Sequence, residues 1–269
     1  MKDIFLGWDV GAWHCETGES RDALCALTLG PHLRPRLEGR PWRGGLRQIM
    51  NEFEGRDLIQ ALLARVGVDL PPGAAVTVAI DAALGWPEAF TSLLTHRRIP
   101  KSVADLKFKN ELLYRQTDRL LIQDGHRPLS VVQDMISSQS TKGMVFLGRA
   151  GLTAVQTGVW SSPDSGDFRC TAIETYPAPC QQCGALEDFF QEISNQKTFV
   201  EALPKGEEGK KDVRDALYCA LVAFAFAHER DNLLAPEEVR DEIPSEEGWI
   251  WAPKRCYPSL LAGKDARDC

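Results

Sequence analysis

The chain has 269 residues and a formal net charge of -7, with 43% hydrophobic and 26% charged residues. These values are typical of a globular domain and exclude a disordered, fibrous or membrane-embedded chain. The acidic balance also excludes a surface that is basic throughout, which non-specific nucleic-acid binding would favour.

No apolar stretch approaches the roughly 18 to 20 residues that a membrane-spanning helix needs. The eight cysteines are scattered along the chain and lack the density of a secreted disulfide scaffold. We therefore expect one domain over residues 1–269, reduced thiols, a cytoplasmic location and no membrane partner.

Hydrophobic periodicity predicts the first elements in chain order. Residues 3–10 predict a strand, and residues 22–29 predict its hairpin partner. The Pro-, Gly- and Arg-rich segment 31–45 predicts a loop, and the apolar spacing in 46–66 predicts a helix. The nearly continuous apolar run 75–81 is typical of a strand buried on both faces.

A helical insertion is predicted next, at about 87–150, before strands return. Its helices are predicted at 87–94, 103–122 and 130–147. Beyond it, strands are predicted at 152–159 and 168–175, helices at 185–193, 197–202 and 212–229, and an irregular tail from about 230 with a last strand at 248–253.

Carboxylates occur where these strands end. Asp9, Asp81 and Glu174 each lie at or near the end of an apolar run, and Asp212 and Asp215 share one face of a helix start. A single Asp after a strand is usually a cap or a turn residue. Together, the acids indicate a site for Mg²⁺ or Mn²⁺, which prefer oxygen ligands.

Basic residues occur in three local groups, each of which is either a phosphate-binding patch or a solvated face. The groups are Arg34, Arg36, Arg40, Arg43 and Arg47; His96, Arg97, Arg98 and Lys101; and Lys107, Lys109, Arg115 and Arg119.

The order of these pieces resembles a known family. The matching motifs are Leu6-Gly-Trp-Asp9, Val78-Ala-Ile-Asp81, Arg115-Gln-Thr-Asp118-Arg119, Ile173-Glu174-Thr-Tyr-Pro177 and Asp212-Val-Arg-Asp215. They are similar to those of the predicted nucleases of ribonuclease H-like fold catalogued as domain of unknown function 429. The resemblance runs from residue 4 to about residue 253, and the chain departs from the family pattern at Ala83, where Pro is usual.

The resemblance implies an α/β fold of the ribonuclease H-like type, with a mixed five-stranded sheet, antiparallel first strands and helices on both faces. It implies that Asp9, Asp81, Glu174 and Asp215 are catalytic and that Asp9, Glu174, Asp212 and Asp215 hold metal. The implied activity is hydrolysis of phosphodiester bonds of DNA or RNA by a two-metal-ion mechanism.

The same resemblance suggests a substrate-binding role for the helix that carries Arg115, Asp118 and Arg119. The two arginines would bind phosphate and Asp118 would orient one of them, or all three would form a solvated helix face.

Two other functions stay open at the level of sequence. An actin-like nucleotide hydrolase or phosphotransferase shares the first-strand acid but needs a Gly-rich phosphate loop, and none follows Asp9 convincingly. A non-catalytic nuclease-like binding module would keep the fold without the activity.

Overall fold

The computed structural model describes residues 2–14, 21–104, 107–163, 168–181, 183–239 and 242–258. The strands are β1 (Asp3–Asp9), β2 (Asp22–Leu29), β3 (Pro35–Gly44), β4 (Ala75–Asp81), β5 (Thr153–Gln156), β6 (Val159–Ser161), β7 (Arg169–Thr175) and β8 (Ile250–Trp251). The α-helices are α1 (Arg47–Glu52), α2 (Gly55–Arg65), α3 (Glu88–His96), α4 (Gln116–Gln123), α5 (Ser137–Arg149), α6 (Pro177–Cys180), α7 (Gly184–Ser194), α8 (Lys197–Ala202) and α9 (Glu207–His228).

The eight strands of the described residues form one open, mixed sheet in the order β3-β2-β1-β4-β7-β6-β5, with β8 also paired to β7. The pairs β1–β2 and β2–β3 are antiparallel, whereas β1, β4 and β7 run parallel. The predictions of an α/β chain, of a mixed sheet and of antiparallel first strands are confirmed.

The predicted number of five strands is wrong. The segment 152–159 folds into the hairpin β5–β6 rather than one strand, because Gly158 turns the chain with a φ of +71°. The loop predicted at 31–45 contains β3, an edge strand, and edge strands tolerate Pro and Gly. β8 adds two residues to the end of β7.

Helices cover both faces of the sheet, as predicted. One core lies between the sheet and α9, with Phe5 and Ala79 pointing toward that helix. The second core lies on the opposite face, where Trp8 and Ile80 pack with α1, α2 and α5. Alternate residues of β1 and β4 therefore enter different cores.

Gly7 allows α9 to approach β1 very closely. A Cβ atom at this position would lie 2.0 Å from the carbonyl oxygen of Ala216 and 2.3 Å from the amide nitrogen of Ala220. The close contact lays the apolar body of α9 along β1 and brings the acidic first turns of α9 to the carboxyl ends of the central strands.

The segment predicted as a helical insertion contains α3, α4 and α5, and two of these helices are shorter than predicted. α4 begins late because Asp118 accepts a hydrogen bond from the backbone N–H of Arg115 and so caps it. α5 also begins late, because the Ser130 hydroxyl accepts hydrogen bonds from the amides of Val132 and Gln133 and forms a turn.

Beyond α9, the described residues 229–239 and 242–258 contain short 3₁₀ turns and β8, joined by irregular segments. In the part of the chain that the structure describes, no helix is long and apolar enough to cross a membrane.

Candidate functional site

Asp9 and Asp81 lie side by side at the carboxyl ends of two neighbouring parallel strands. They are direct partners in the register of β1 and β4. Because side chains alternate along a strand, both carboxylates lie on the same face as Phe5 and Ala79, toward α9. The predicted convergence of these two acids is therefore present.

The first turns of α9 bring a third acid to the same place. Asp215 is 4% exposed, and its Oδ2 accepts a hydrogen bond from the ammonium of Lys211 at 2.6 Å. Its Oδ1 lies 3.5 Å from the side-chain amide of Gln181. Asp212, the other acid predicted on this helix, is bound by Arg43, with Nε and Oδ2 2.7 Å apart.

The electrostatics show that these acids repel one another. Burial raises the pKa of Asp9 well above its usual range, and the carboxylates of Asp81, Asp215 and Asp212 raise it further. Burial, followed by the charge of Asp215, raises the pKa of Asp81 to about 8. Burial also raises the pKa of Asp215.

Lys211 is the cation that partly offsets this repulsion. Its ammonium lowers the pKa of Asp9, Asp81 and Asp215. The sequence prediction did not single it out, although the i,i+4 spacing of Lys211 and Asp215 on one helix is a recognisable signal of an ion pair.

Glu174 lies on the other face of the sheet, and this changes its predicted role. Because side chains alternate along β7, Glu174 points to the same face as Cys170 and Ala172, away from α9. Its Oε1 accepts a hydrogen bond from Arg115 at 2.6 Å, and its Oε2 accepts from Arg115 and from the amide of Leu84, each at 2.8 Å. In this structure both oxygens of Glu174 bind protein donors rather than joining Asp9, Asp81 and Asp215.

Arg115 and Asp118, predicted to bind substrate or to form a solvated face, are instead 1% exposed. The guanidinium of Arg115 makes five hydrogen bonds: two to Asp118, two to Glu174 and one to the carbonyl of Glu247. Five is the full donor capacity of an arginine side chain. The network holds α4 against β7, and its arginine has no donor left for a phosphate.

Arg119, the second arginine predicted to bind phosphate, is also placed differently from the prediction. Its Nη2 donates to the side-chain oxygen of Gln116 at 2.5 Å, and the residue is partly buried.

A cleft of about 610 Å³ opens over the acids. Asp9, Asp81, Asp215 and Lys211 line one part of it, and the buried Arg115–Glu174 pair lies at another. Tyr176, Gln181 and the segment 127–129 complete its walls. The cleft is large enough for a nucleotide-sized group beside the carboxylates.

The donors at this site fit a hard divalent cation in their chemistry. Asp9, Asp81 and Asp215 offer carboxylate oxygens, the ligands that Mg²⁺ and Mn²⁺ prefer. Burial raises the pKa of all three, so their ionised forms are disfavoured in this structure and a bound cation would stabilise them. Within the described residues, however, no group of three or more His, Cys, Asp or Glu side chains is already arranged to hold a metal ion. A cation would have to displace Lys211 from Asp215 and draw the carboxylates together.

The chain was compared with protein-family models, curated proteins and solved structures, and no match was found in any of the three.

Proposed function

We propose that this protein is a metal-dependent nuclease that hydrolyses phosphodiester bonds of DNA or RNA, with a ribonuclease H-like core. The observation that carries the proposal is the cluster of Asp9, Asp81 and Asp215, which line one cleft and whose pKa values are all raised, first by burial and then by neighbouring carboxylates. Clustered ionisable groups with strongly shifted pKa values in a cleft are typical of catalytic sites.

The sheet topology also supports the ribonuclease H-like core. The resemblance in sequence implies five strands, and β3, β2, β1, β4 and β7 form a continuous set with three antiparallel strands followed by parallel ones. On this proposal β5, β6 and β8 are additions to one edge.

The structure changes the set of residues that we assign to the reaction. Asp9, Asp81 and Asp215 would hold Mg²⁺ or Mn²⁺, which when bound activates water and stabilises the leaving oxygen. Glu174 serves to fix Arg115, and Asp212 is held by Arg43 beside the site. Lys211, once released from Asp215, can donate to a phosphate oxygen in the cleft.

The test is a cleavage screen over single-stranded DNA, duplex DNA, RNA, RNA–DNA hybrid and branched substrates with Mg²⁺ or Mn²⁺. We expect cleavage by the wild-type protein, a loss of at least about a hundredfold in Asp9→Asn, and wild-type rates in Asp57→Asn, an exposed acid on α2 outside the cleft.

Two results would contradict the proposal: no cleavage of any substrate, or equal cleavage by Asp9→Asn. Tight nucleic-acid binding without cleavage would favour the non-catalytic binding module. Release of phosphate from nucleoside triphosphates alone would favour the actin-like alternative.

A further inference from the structure

The three groups of basic residues differ in how they are paired. In the first group, Arg34 binds Glu192, Arg36 binds Glu38 and Arg43 binds Asp212. In the third group Arg115 is buried in its ion-pair network and Arg119 binds Gln116. These residues already have partners within the chain.

Five of the remaining cations follow α3 in the sequence. We call Arg97, Arg98, Lys101, Lys107 and Lys109 the basic arm; all five are exposed. Among the residues that the structure describes, none of the five forms an ion pair with a carboxylate. A concentration of unpaired positive charge on a chain with a net charge of -7 indicates an anionic partner.

Exposed apolar side chains lie among these cations and just before them. Ile99 is 82% exposed, Leu94 65% and Phe108 39%. Cations that neutralise phosphates, interleaved with apolar groups that can contact base faces, suit a single-stranded nucleic acid. A membrane-binding segment would place the same residues on one long amphipathic helix, whereas residues 97–104 form no helix and Lys107–Lys109 form a single 3₁₀ turn.

The helix that precedes the basic arm begins beside the cleft. One carboxylate, Glu247, accepts hydrogen bonds from the amide of Glu88 at 2.9 Å and from the amide of Gln116 at 2.6 Å. The carbonyl of the same residue binds Arg115, the partner of Glu174. The start of α3 is therefore fixed beside the buried network that lines the cleft.

The length of α3 gives the distance between the start of this helix and the beginning of the basic arm. The helix has nine residues, which at a rise of about 1.5 Å per residue puts its end about 13 Å from its start. At about 3.4 Å per nucleotide of a B-form strand, this distance corresponds to about four nucleotides.

We propose that the basic arm binds the phosphate backbone of a single-stranded nucleic acid whose reacting phosphate lies in the cleft. The placement of the reacting phosphate in the cleft rests on the proposed nuclease function, whereas binding of the phosphate backbone by the arm is independent of catalysis. Substrates that extend past the cleaved bond to the basic arm should be preferred to shorter ones.

The experiment measures fluorescence anisotropy of a labelled single-stranded oligonucleotide, in EDTA, over a range of salt concentrations. The test variant carries Arg97→Glu, Arg98→Glu and Lys101→Glu. The matched control carries Arg34→Glu, Arg36→Glu and Arg40→Glu, which changes the net charge equally at and beside the edge strand β3. A neutral version of the test variant, with Gln at the three positions, replaces it if charge reversal impairs folding.

We expect the test variant to lose about tenfold or more in affinity and to lower the slope of log K against log salt by roughly 2 to 3. The control should change affinity less than about threefold, since its residues contact no phosphate. Equal losses in both variants would overturn the inference, because bulk charge would explain them. Binding to phosphatidylserine vesicles without binding to the oligonucleotide would also overturn it.

Binding and cleavage measured on the wild-type protein and the test variant distinguish this inference from the proposed function. If the wild-type protein cleaves substrates and the test variant binds and cleaves them equally well, the basic arm is excluded and the nuclease stands. If nothing is cleaved but binding depends on the arm as expected, the nuclease is excluded and the arm stands.

Discussion

The carboxyl group of Asp81 affects the free energy of unfolding by an amount that depends on pH. Its pKa is raised to about 8 in the folded protein, whereas an Asp carboxyl in an unfolded chain ionises near pH 4. Between about pH 4 and pH 8 the folded state therefore binds more protons than the unfolded state. The stability that the raised pKa of Asp81 contributes is fully present below about pH 4 and is lost as the pH rises toward 8.

Asp81→Asn should abolish the loss of folding stability that Asp81 causes between about pH 4 and pH 8. We expect the free energy of unfolding at pH 8 in EDTA to rise by about 1 kcal/mol or more, since one unit of pKa shift corresponds to about 1.4 kcal/mol. Near pH 4 the variant and the wild type should be nearly equal. Urea unfolding at the two pH values measures this, and Asp57→Asn, at an exposed position, is the control. An equal loss of stability at both pH values would show that Asp81 stabilises the fold.

Glu174→Gln should have the opposite effect on stability. Glu174 and Asp118 neutralise a guanidinium that is 1% exposed, and removal of one partner of a buried ion pair costs about 3 to 5 kcal/mol. We expect a loss of that order at pH 7 by urea unfolding. The matched control is Glu192→Gln, whose exposed pair with Arg34 should contribute less than about 1 kcal/mol. A loss no larger than that of the control would contradict the structural role of Glu174.

At the scale of elements, the sequence predicted which strands end in acids but not which face each acid occupies. Near their carboxyl ends both strands bury apolar residues on both faces, Ala79 and Ile80 in β4 and Ala172 and Ile173 in β7, so the pattern there does not reveal which face each acid occupies. This is why Glu174 was grouped with Asp9 and Asp81. The i,i+3 spacing of Arg115 and Asp118 indicated their pairing, but charge patterns do not show burial, which arises where Arg115 meets Glu174 of β7 and the carbonyl of Glu247.

The contact between β1 and α9 is an element that one methyl group can disturb. Gly7→Ala would place its Cβ 2.0 Å from the carbonyl oxygen of Ala216, so α9 has to move. We expect a loss of about 3 kcal/mol or more in thermal or urea unfolding, together with a loss of cleavage, because Asp215 moves with the helix. The control is Gly148→Ala on α5, where an added Cβ meets no atom within 4 Å and stability should stay equal or rise slightly. Similar stability in the two variants would mean that α9 does not depend on the close approach at Gly7.

At the scale of the whole molecule, folding stability, pH and cation binding should be linked through the three acids. A cation that binds the folded state alone raises its stability, and it does so most where Asp9, Asp81 and Asp215 are ionised. Mn²⁺ should therefore raise Tm at pH 8 by several degrees and have little effect near pH 5, compared with NaCl of equal ionic strength. Lys211→Met should enlarge the shift, because the ammonium that competes for Asp215 is removed, and Asp9→Asn should reduce it. An equal Mn²⁺ shift in Asp9→Asn and wild type would place the cation elsewhere on the protein and would remove the metal site from the proposed function.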